Sequence, residues 1–450
     1  AVSLDLYGQT VGGLNSLTAS GISYRTRIRP AKPTQLAHCI VIQFSATSPP
    51  YHIDCIHKMH IAIIVSKFPT TSETFIFQQV TGLIRAGHHV QVFTARPENS
   101  ETAASMIGYL PPKTITYWGS KASRVTEIPP PTLLTPRRWM RRRRAVRELP
   151  LLISPRSFDA ILCHFGTVGL MAVRLRAFGL IDGPIATIFH GNDVSAIPAR
   201  LGTNCYAELL ESGELFLPIS QHWRDRLLSM GAPPDRTLVQ HLGIDTDRIA
   251  FSPTKPRAQP FRLLTIARLV EKKGIEYALR AVQGLHRETH FRLHYDIVGT
   301  GPLEENLRRL SVELGLQDYV TFRGAMDHAT TLNTLRSTDL FILPSVTGQD
   351  SDMEGIPVAL MEAMASGAPV ISTMHSGIPE LVPKENHFCL APEREPNHLK
   401  AILRELCADT ESWSGIAKRN RNRIESVFSE NAQLSLLEDR LQGIRSYVAG

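Results

Sequence analysis

Two glutamates, Glu354 and Glu362, stand on either side of the apolar stretch GIPVALM. Pro357 suits the first turn of a helix and a glycine suits its end, so the spacing predicts a helix over residues 357–366. The free amides of its first turn, with Gly355 beside them, can bind an anion. Carboxylates accept hydrogen bonds from paired hydroxyls, so the segment matches the sugar, diphosphate and ribose of a nucleotide sugar. The competing interpretation is a pair of solvated helix glutamates.

The elements around this helix are short apolar runs that alternate with helical segments, as in parallel sheets covered on both faces. We therefore predict an α/β protein with two Rossmann-like, doubly wound domains and C-terminal helices. Ligands of such sheets bind at the carboxyl ends of the strands, which predicts a site in the central cleft. The predicted segments are a first domain at 59–250, a proline-rich linker at 251–260, a second domain at 261–410 and helices at 411–450.

The first 58 residues differ from the rest of the chain. They show no sustained periodicity, and Asp5 and Asp54 are their only acidic residues. The first clean strand pattern begins at Met59. We therefore predict that residues 1–58 are a non-native or disordered extension, with a transit-like segment as the alternative.

The composition is that of a globular protein. Of 450 residues, 43% are hydrophobic and 20% charged, which excludes a disordered chain, and no apolar run approaches the ~20 residues of a membrane span. The net charge of +7 suits phosphate-bearing ligands or an ordinary basic surface. The cysteines lack zinc-ligand spacing, and the acids of DSD (350–352) are interpreted as solvated, so neither a metal nor a cofactor is predicted. The cysteines are Cys39, Cys55, Cys163, Cys205, Cys389 and Cys407.

The segment from Glu354 to Glu362 resembles the E-x7-E motif of the retaining GT-B glycosyltransferases of family 4, the glycosyl transferases group 1 type. SKFPTTSETFIFQQ (66–79) and HFG (164–166) are more similar to the colanic acid and exopolysaccharide branch. The resemblance covers nearly the whole chain from Met59 onward. It continues in IARLVEKKG (266–274), IVGTGPLEENL (297–307), SGAPVIST (366–373) and SGIPELV (376–382).

The resemblance implies a role for each matching residue. Glu354 would bind the hydroxyls of the donor sugar and Glu362 the ribose, while Arg268 and Lys273 would neutralise the diphosphate. His190, in FHGND, would contact the sugar and help the reacting geometry, so His190 and Glu354 are the predicted catalytic residues. The remaining donor-binding candidates are Gly299, Gly301, Gly355, Ile356 and Pro357.

The acceptor side departs from the family pattern. Many relatives have a glycine pair after the first strand, where this chain has FPTTSETF. Ser72, Glu73, His164 and Asp193 are the acceptor-side candidates, although Ser72 and Glu73 also suit a helix N-cap.

The resemblance implies metal-independent, retaining transfer of a hexose from a nucleotide-diphosphate sugar to a glycan or lipid-linked acceptor in exopolysaccharide or other cell-surface polysaccharide synthesis. A nucleotide-sugar epimerase or a sugar phosphorylase of the same fold is the enzymatic alternative. A protein that binds anionic membranes or nucleic acid is the non-enzymatic one.

A basic run extends from Arg137 to Arg144 and contains Trp139. Such a run can contact an anionic membrane, which would suit a lipid-linked acceptor, or it can be a solvated loop. No nucleic-acid partner is expected, because no RNA- or DNA-binding motif accompanies the run. The predicted location is the cytoplasm, with peripheral association at the inner membrane face as an alternative.

Overall fold

The computed structural model of the protein describes residues 58–71, 73–117, 156–253 and 259–444. Several predicted features lie outside these ranges. They are the extension before Lys58, Ser72, the basic run at 137–144 and the linker residues 254–258.

The first half of the described chain is built on a parallel sheet of six strands in the order β3-β2-β1-β5-β7-β8. The strands β5 and β7 are buried along their whole length, because helices cover both faces of the sheet. The strands are β1 (His60–Lys67), β2 (His89–Arg96), β3 (Ile115–Tyr117), β5 (Ala160–His164), β7 (Ile185–Phe189) and β8 (Leu215–Pro218), with β4 (Arg156–Ser157) and β6 (Ile181–Asp182) as a separate pair. The helices are α1 (Thr74–Arg85), α2 (Glu101–Gly108), α3 (Gly166–Ala177), α4 (Ala196–Leu201), α5 (Ala207–Ser212) and α6 (Gln221–Ser229).

The second half repeats the arrangement, with a parallel sheet in the order β11-β10-β9-β12-β13-β14. Its strands are β9 (Phe261–Ile266), β10 (Leu293–Val298), β11 (Val320–Gly324), β12 (Leu340–Ile342), β13 (Val370–Thr373) and β14 (Leu390–Ala391). Its helices are α7 (Ile275–Glu288), α8 (Glu304–Glu313), α9 (His328–Arg336), α10 (Val358–Ser366), α11 (Ile378–Leu381) and α12 (Pro396–Ala408), followed by α13 (Trp413–Val427) and α14 (Glu430–Gly443).

The strand order of both sheets reverses once, between β1 and β5 in the first and between β9 and β12 in the second. Loops diverge at such a point and leave a crevice at the carboxyl ends of the strands. The segments that begin at Phe68, Phe165, Ala267 and Leu343 leave the two sheets there. The predicted α/β class with two doubly wound sheets is thus confirmed, whereas the boundaries given for the domains stay predictions.

The last helix returns to the first half of the chain. Arg85 on α1 pairs with Glu430 at 2.6 Å, and Gln240 donates to the Gln433 side chain at 2.9 Å. Arg440 further along α14 donates to the Gln240 side chain at 2.9 Å. These contacts hold α14 against the first half of the chain.

The predicted helix over residues 357–366 is present, but its first helical residue is Val358. Pro357 has a ψ of 120°, which is extended, and so takes the N-cap position. Gly367 ends the helix with a φ of 102°. Within the described ranges, no helix is long and apolar enough to cross a membrane.

Candidate active site

Glu354 lies on the loop between β12 and α10, with its carboxylate bonded to the ammonium group of Lys273. Burial raises the pKa of this carboxyl, but Lys273 and Lys272 outweigh burial and hold the pKa at about 2. Glu354 is therefore a carboxylate throughout the physiological range. It can accept hydrogen bonds from hydroxyls but cannot serve as a proton donor.

The two lysines belong to a 3-10 turn, Glu271–Lys273, that follows β9. Lys272 lies 2.9 Å from a carboxylate oxygen of Asp352, so both ammonium groups face the loop that carries Glu354. Gly274 ends the turn with a φ of 63°, and a Cβ there would lie 1.9 Å from the carbonyl oxygen of Pro344. Only glycine allows this approach, which fixes the lysines beneath the loop.

Glu362 is buried on α10, and its Oε1 lies 2.8 Å from Nε2 of His328, at the start of α9. This hydrogen bond raises the pKa of His328, whose side chain is 59% exposed. In the part of the chain that is described, the other oxygen of Glu362 has no hydrogen-bond partner. One oxygen is therefore held by an exposed histidine and the second remains available to a ligand.

Arg268 is exposed directly after β9, between two close backbone contacts. A Cβ on Gly299, whose φ is 128°, would lie 1.9 Å from the carbonyl oxygen of Ala267, and one on Gly301 would lie 2.4 Å from that of Leu269. These glycines let the turn after β10 pack against the segment that carries Arg268, and so fix the backbone of that segment.

His190 follows β7 and is stacked in a buried aromatic cluster. Its Nε2 lies 3.2 Å from Nδ1 of His164, and the rings of Phe75 and Phe165 lie 4.8 and 4.6 Å from its own, centroid to centroid. Burial lowers the pKa of His190 well below its usual value and that of His164 to about 3. Both rings are therefore neutral at physiological pH, and His164 is closed off from solvent.

Asp193 is also buried, and its carboxylate accepts hydrogen bonds from the backbone N–H groups of Gly166, His190 and Gly191 at 2.9, 3.0 and 2.9 Å. It joins the turns that follow β5 and β7. Asp193 therefore fixes the backbone around His190, and its predicted place on the acceptor side stays a prediction.

Glu73 is the N-cap residue of α1, yet its side chain makes no capping hydrogen bond. Burial raises its pKa, while the positive charges of Lys67 and Arg268 oppose that rise. The charge of Arg268 therefore acts on Glu73, although Arg268 follows a strand of the second sheet and Glu73 follows a strand of the first.

The two halves of the chain meet at the loop that carries Glu354. A Cβ on Gly355 would lie 2.3 Å from the carbonyl oxygen of His190, and one on Gly191 would lie 3.2 Å from that of Met353. The Met353 N–H also donates to the Ser195 hydroxyl at 3.3 Å. The missing side chain of Gly355 therefore makes room for the backbone of His190 in the first half of the chain.

Ile356 and Pro357 are the donor-binding candidates with the least to offer a ligand. Ile356 is buried, and its side chain approaches Gly377 so closely that a Cβ there would lie 2.8 Å away. Pro357 has no N–H to donate. Its N-cap position leaves the first amides of α10, at Val358 and Ala359, facing out of the helix start.

Sequence reasoning missed Lys272, His328 and a third residue, His375, whose Nε2 lies 3.0 Å from the backbone nitrogen of Glu354. His375 comes just after β13, so the rule that ligands bind at the carboxyl ends of strands could have indicated it. Lys272 and His328 carried no such signal, because their partners are distant in sequence.

Comparison with known proteins identifies the family. The Glycosyltransferase Family 4 model matches residues 72–248 and the Glycosyl transferases group 1 model matches residues 247–423. The putative colanic acid biosynthesis glycosyltransferase WcaL of Escherichia coli K12 is 36% identical over 410 residues, which cover 86% of this chain and all of WcaL. The chain belongs to the group 1 glycosyltransferases.

A second relative of this glycosyltransferase also belongs to polysaccharide biosynthesis by its name. The amylovoran biosynthesis glycosyltransferase AmsK of Erwinia amylovora is 33% identical, over 85% of this chain and 99% of AmsK. The resemblance to this branch is confirmed, and the epimerase, phosphorylase and non-enzymatic alternatives are not favoured.

Solved structures share the fold. HepE of Anabaena in complex with UDP-glucose superposes with a TM-score of 0.64 at 16% identity, over 86% of this chain and all of HepE. Sucrose-phosphate synthase of Thermosynechococcus elongatus gives 0.64 at 18% identity, over 87% and 99%. The predicted GT-B architecture of the glycosyltransferase is thus confirmed.

Proposed function

We propose that this glycosyltransferase moves a hexose from a nucleotide-diphosphate sugar to a glycan or lipid-linked acceptor in exopolysaccharide or related cell-surface polysaccharide synthesis. The printed names of WcaL and AmsK support the biosynthetic setting. The complex of HepE with UDP-glucose supports a nucleotide-sugar donor. The observation that carries the proposal is the ionised Glu354 in contact with Lys273 on the loop before α10, together with Glu362 inside α10, of which one oxygen is bonded to His328.

In the proposed donor complex, Glu354 accepts from the sugar hydroxyls and Glu362 accepts from the ribose through its free oxygen. Arg268 and Lys273 neutralise the diphosphate, so Lys273 shares its charge between Glu354 and the phosphates once the donor arrives. The amides at the start of α10 assist them. Gly299 and Gly301 support the nucleotide side of the site.

The proposed reaction retains the anomeric configuration. The acceptor hydroxyl attacks the anomeric carbon on the face from which the diphosphate departs, and the departing phosphate oxygen takes the hydroxyl proton. One carbon–oxygen bond breaks and one forms, and negative charge develops on the diphosphate oxygen as its bond to the sugar breaks, until that oxygen takes the proton. Arg268 and Lys273 can stabilise that charge without a metal ion. His190, neutral and buried, contacts the sugar and orients it.

On the acceptor side, Glu73 is proposed to line the entry and His164 to pack against His190. Ser72, outside the described residues, stays an acceptor-side prediction. We also propose that the reaction takes place at the cytoplasmic membrane face, with the run from Arg137 to Arg144 against anionic lipid. Sedimentation with anionic liposomes, compared with neutral liposomes, tests that contact.

The donor is tested by a thermal-shift panel of UDP, GDP, ADP and their sugars. A ligand that binds only the folded protein raises the melting temperature, so one nucleoside diphosphate should stand out. The experiment continues with that donor in a transfer assay, with EDTA present to test metal independence. If none of the nucleotides raises the melting temperature, the proposal is contradicted.

Two variants then test the ribose contact and the sugar contact of the donor separately. Glu362→Ala should weaken donor binding by about tenfold or more, because it removes a charge-assisted hydrogen bond to the ribose. Glu354→Ala should remove most transfer and leave nucleoside diphosphate binding largely intact. Full turnover by both variants would exclude the proposed donor site.

A further inference from the structure

Behind Glu354 lies a buried histidine that neither substrate is proposed to touch. His375 is fully buried after β13, and its Nε2 lies 3.0 Å from the backbone nitrogen of Glu354. Its Nδ1 lies 2.6 Å from Oε1 of Glu393. The other oxygen of Glu393 accepts from the backbone N–H of Thr347 at 2.8 Å. These residues form one continuous hydrogen-bonded chain that ends at the Glu354 backbone.

The chemistry of the partners assigns the tautomer of His375. A backbone N–H can only donate, so Nε2 must be the unprotonated acceptor toward Glu354. The proton therefore resides on Nδ1 and is donated to Glu393. Burial raises the pKa of Glu393, but its bonds to His375 and Thr347 prevail and lower it, so this carboxylate is ionised and a suitable acceptor.

The bond matters because the Glu354 loop belongs to neither a helix nor a strand. Its backbone is fixed on one side by the bond from Met353 to Ser195 and by the close approach of Gly355 to His190. His375 holds it from the second domain. Loss of that acceptor would leave the Glu354 N–H unpaired in a part-buried position, which is costly and favours movement of the loop.

We propose that His375 is a positioning residue, which Glu393 holds in one tautomer so that it fixes the backbone of Glu354 and aims its carboxylate at the donor sugar. The proposal rests on the role proposed above for Glu354. It predicts that His375 governs transfer of the sugar but not binding of the nucleoside diphosphate, whose proposed contacts are Arg268, Lys273 and Glu362.

The test compares His375→Ala, His375→Gln and His375→Asn for transfer kinetics and for affinity toward the nucleoside diphosphate identified by the thermal-shift panel. His375→Ala should lower kcat/KM by about tenfold to a hundredfold, as supporting residues around active sites commonly do. Nucleoside diphosphate affinity should change by less than about twofold. His375→Gln, whose amide oxygen reaches toward the Glu354 N–H, should recover more activity than the shorter His375→Asn.

His286 provides a matched control, since its Nε2 also accepts from a backbone N–H, that of Leu293, at 2.9 Å. It lies on α7, away from the donor site. His286→Ala removes the same kind of bond and should leave kcat/KM within about twofold of the parent enzyme. A loss of transfer in this variant equal to that of His375→Ala would overturn the positioning role.

Two further results would also overturn the proposal. One is full turnover by a folded His375→Ala; the other is a loss of nucleoside diphosphate affinity as large as the loss of transfer. Nitrogen-15 correlation spectra of the parent enzyme should show His375 with its proton on Nδ1, and a proton on Nε2 would contradict the assignment even if the variants fail to fold. Glu354→Ala shows which proposal has failed. Full transfer by that variant would contradict the proposed function, whereas full transfer by His375→Ala alone would contradict only the positioning role of His375.

Discussion

Burial and neighbouring charge together set the protonation states of Glu354, His164 and His190. The neighbouring lysines hold Glu354 ionised at a pKa of about 2, whereas His164 and His190 remain neutral because no partner compensates for their burial. The site thus combines a fixed negative charge from one domain with uncharged imidazoles from the other. That combination suits hydrogen bonding to hydroxyls more than proton transfer by side chains.

The histidine pair makes stability depend on pH in a definite direction. His164 titrates near 6.5 in the unfolded chain and at about 3 in the folded one, so the unfolded state binds the extra proton between these values. Its contribution is absent above pH 6.5, and stability falls as the pH drops below it. Between pH 7.5 and 5.5 the expected loss is about 1.4 kcal/mol for this histidine.

Urea denaturation of the parent and of His164→Asn at the two pH values measures this term. The variant, which lacks one titrating imidazole, should lose about 1.4 kcal/mol less on acidification. Identical pH dependence in the two proteins would show that His164 is accessible to protons in the folded state.

At the scale of elements, the carboxyl ends of the strands bring the site together. His190 follows β7, Arg268 follows β9 and His375 follows β13, so residues far apart in sequence share one crevice. Glycines at the strand ends allow the connecting turns to approach one another. The geometry of the donor site therefore depends on backbone packing as much as on the charged side chains.

Gly299→Ala tests this dependence. The alanine would need a φ of 128° and would put its Cβ 1.9 Å from the carbonyl oxygen of Ala267. The expected result is a loss of about 1–3 kcal/mol in the free energy of unfolding, together with weaker nucleotide binding as Arg268 shifts. Gly108, on α2, has open space at its Cβ position, and Gly108→Ala should leave the free energy of unfolding within about 1 kcal/mol. Equal effects in the two variants would contradict the packing argument.

The alternation of apolar runs was sufficient to predict two doubly wound sheets, and the binding of ligands at carboxyl strand ends predicted a cleft site. His190 and Arg268, which the family resemblance indicated, do follow strands of the two sheets. Two kinds of feature were beyond these arguments. The pairing of His328 with Glu362 joins separate helices, and nothing in either segment alone indicates the other. The reason for Gly355 was also hidden, because the atom that excludes a side chain there belongs to the other half of the chain.

At the scale of the whole molecule, Glu380 links the two halves. Its carboxylate accepts from the backbone N–H of Gln221, at the start of α6, at 2.7 Å and lies 3.3 Å from Nε2 of His241. A carboxylate at a helix N-terminus is favourable because it satisfies free amides and complements the dipole. Together with the returning α14, this contact sets the relation between the domains in which the site is assembled.

Glu380→Ala should lower the free energy of unfolding by about 1.5–3 kcal/mol, since it removes hydrogen bonds to a charged group at a part-buried contact. Glu288 is the control, because its pair with Lys400 is on the surface and its side chain is 58% exposed. Glu288→Ala should cost less than about 1 kcal/mol in the same denaturation experiment. A larger effect at Glu288 than at Glu380 would show that the domains are held together elsewhere.

The central claim is that Glu354 and Glu362 bind opposite ends of one donor molecule. A crystal structure of the complex with an intact nucleotide sugar measures this directly. The expected result is the Glu354 carboxylate at about 3 Å from hydroxyls of the hexose and the free oxygen of Glu362 at about 3 Å from the ribose, with Arg268 and Lys273 on the diphosphate. A bound donor whose sugar and ribose contact neither glutamate would contradict the account.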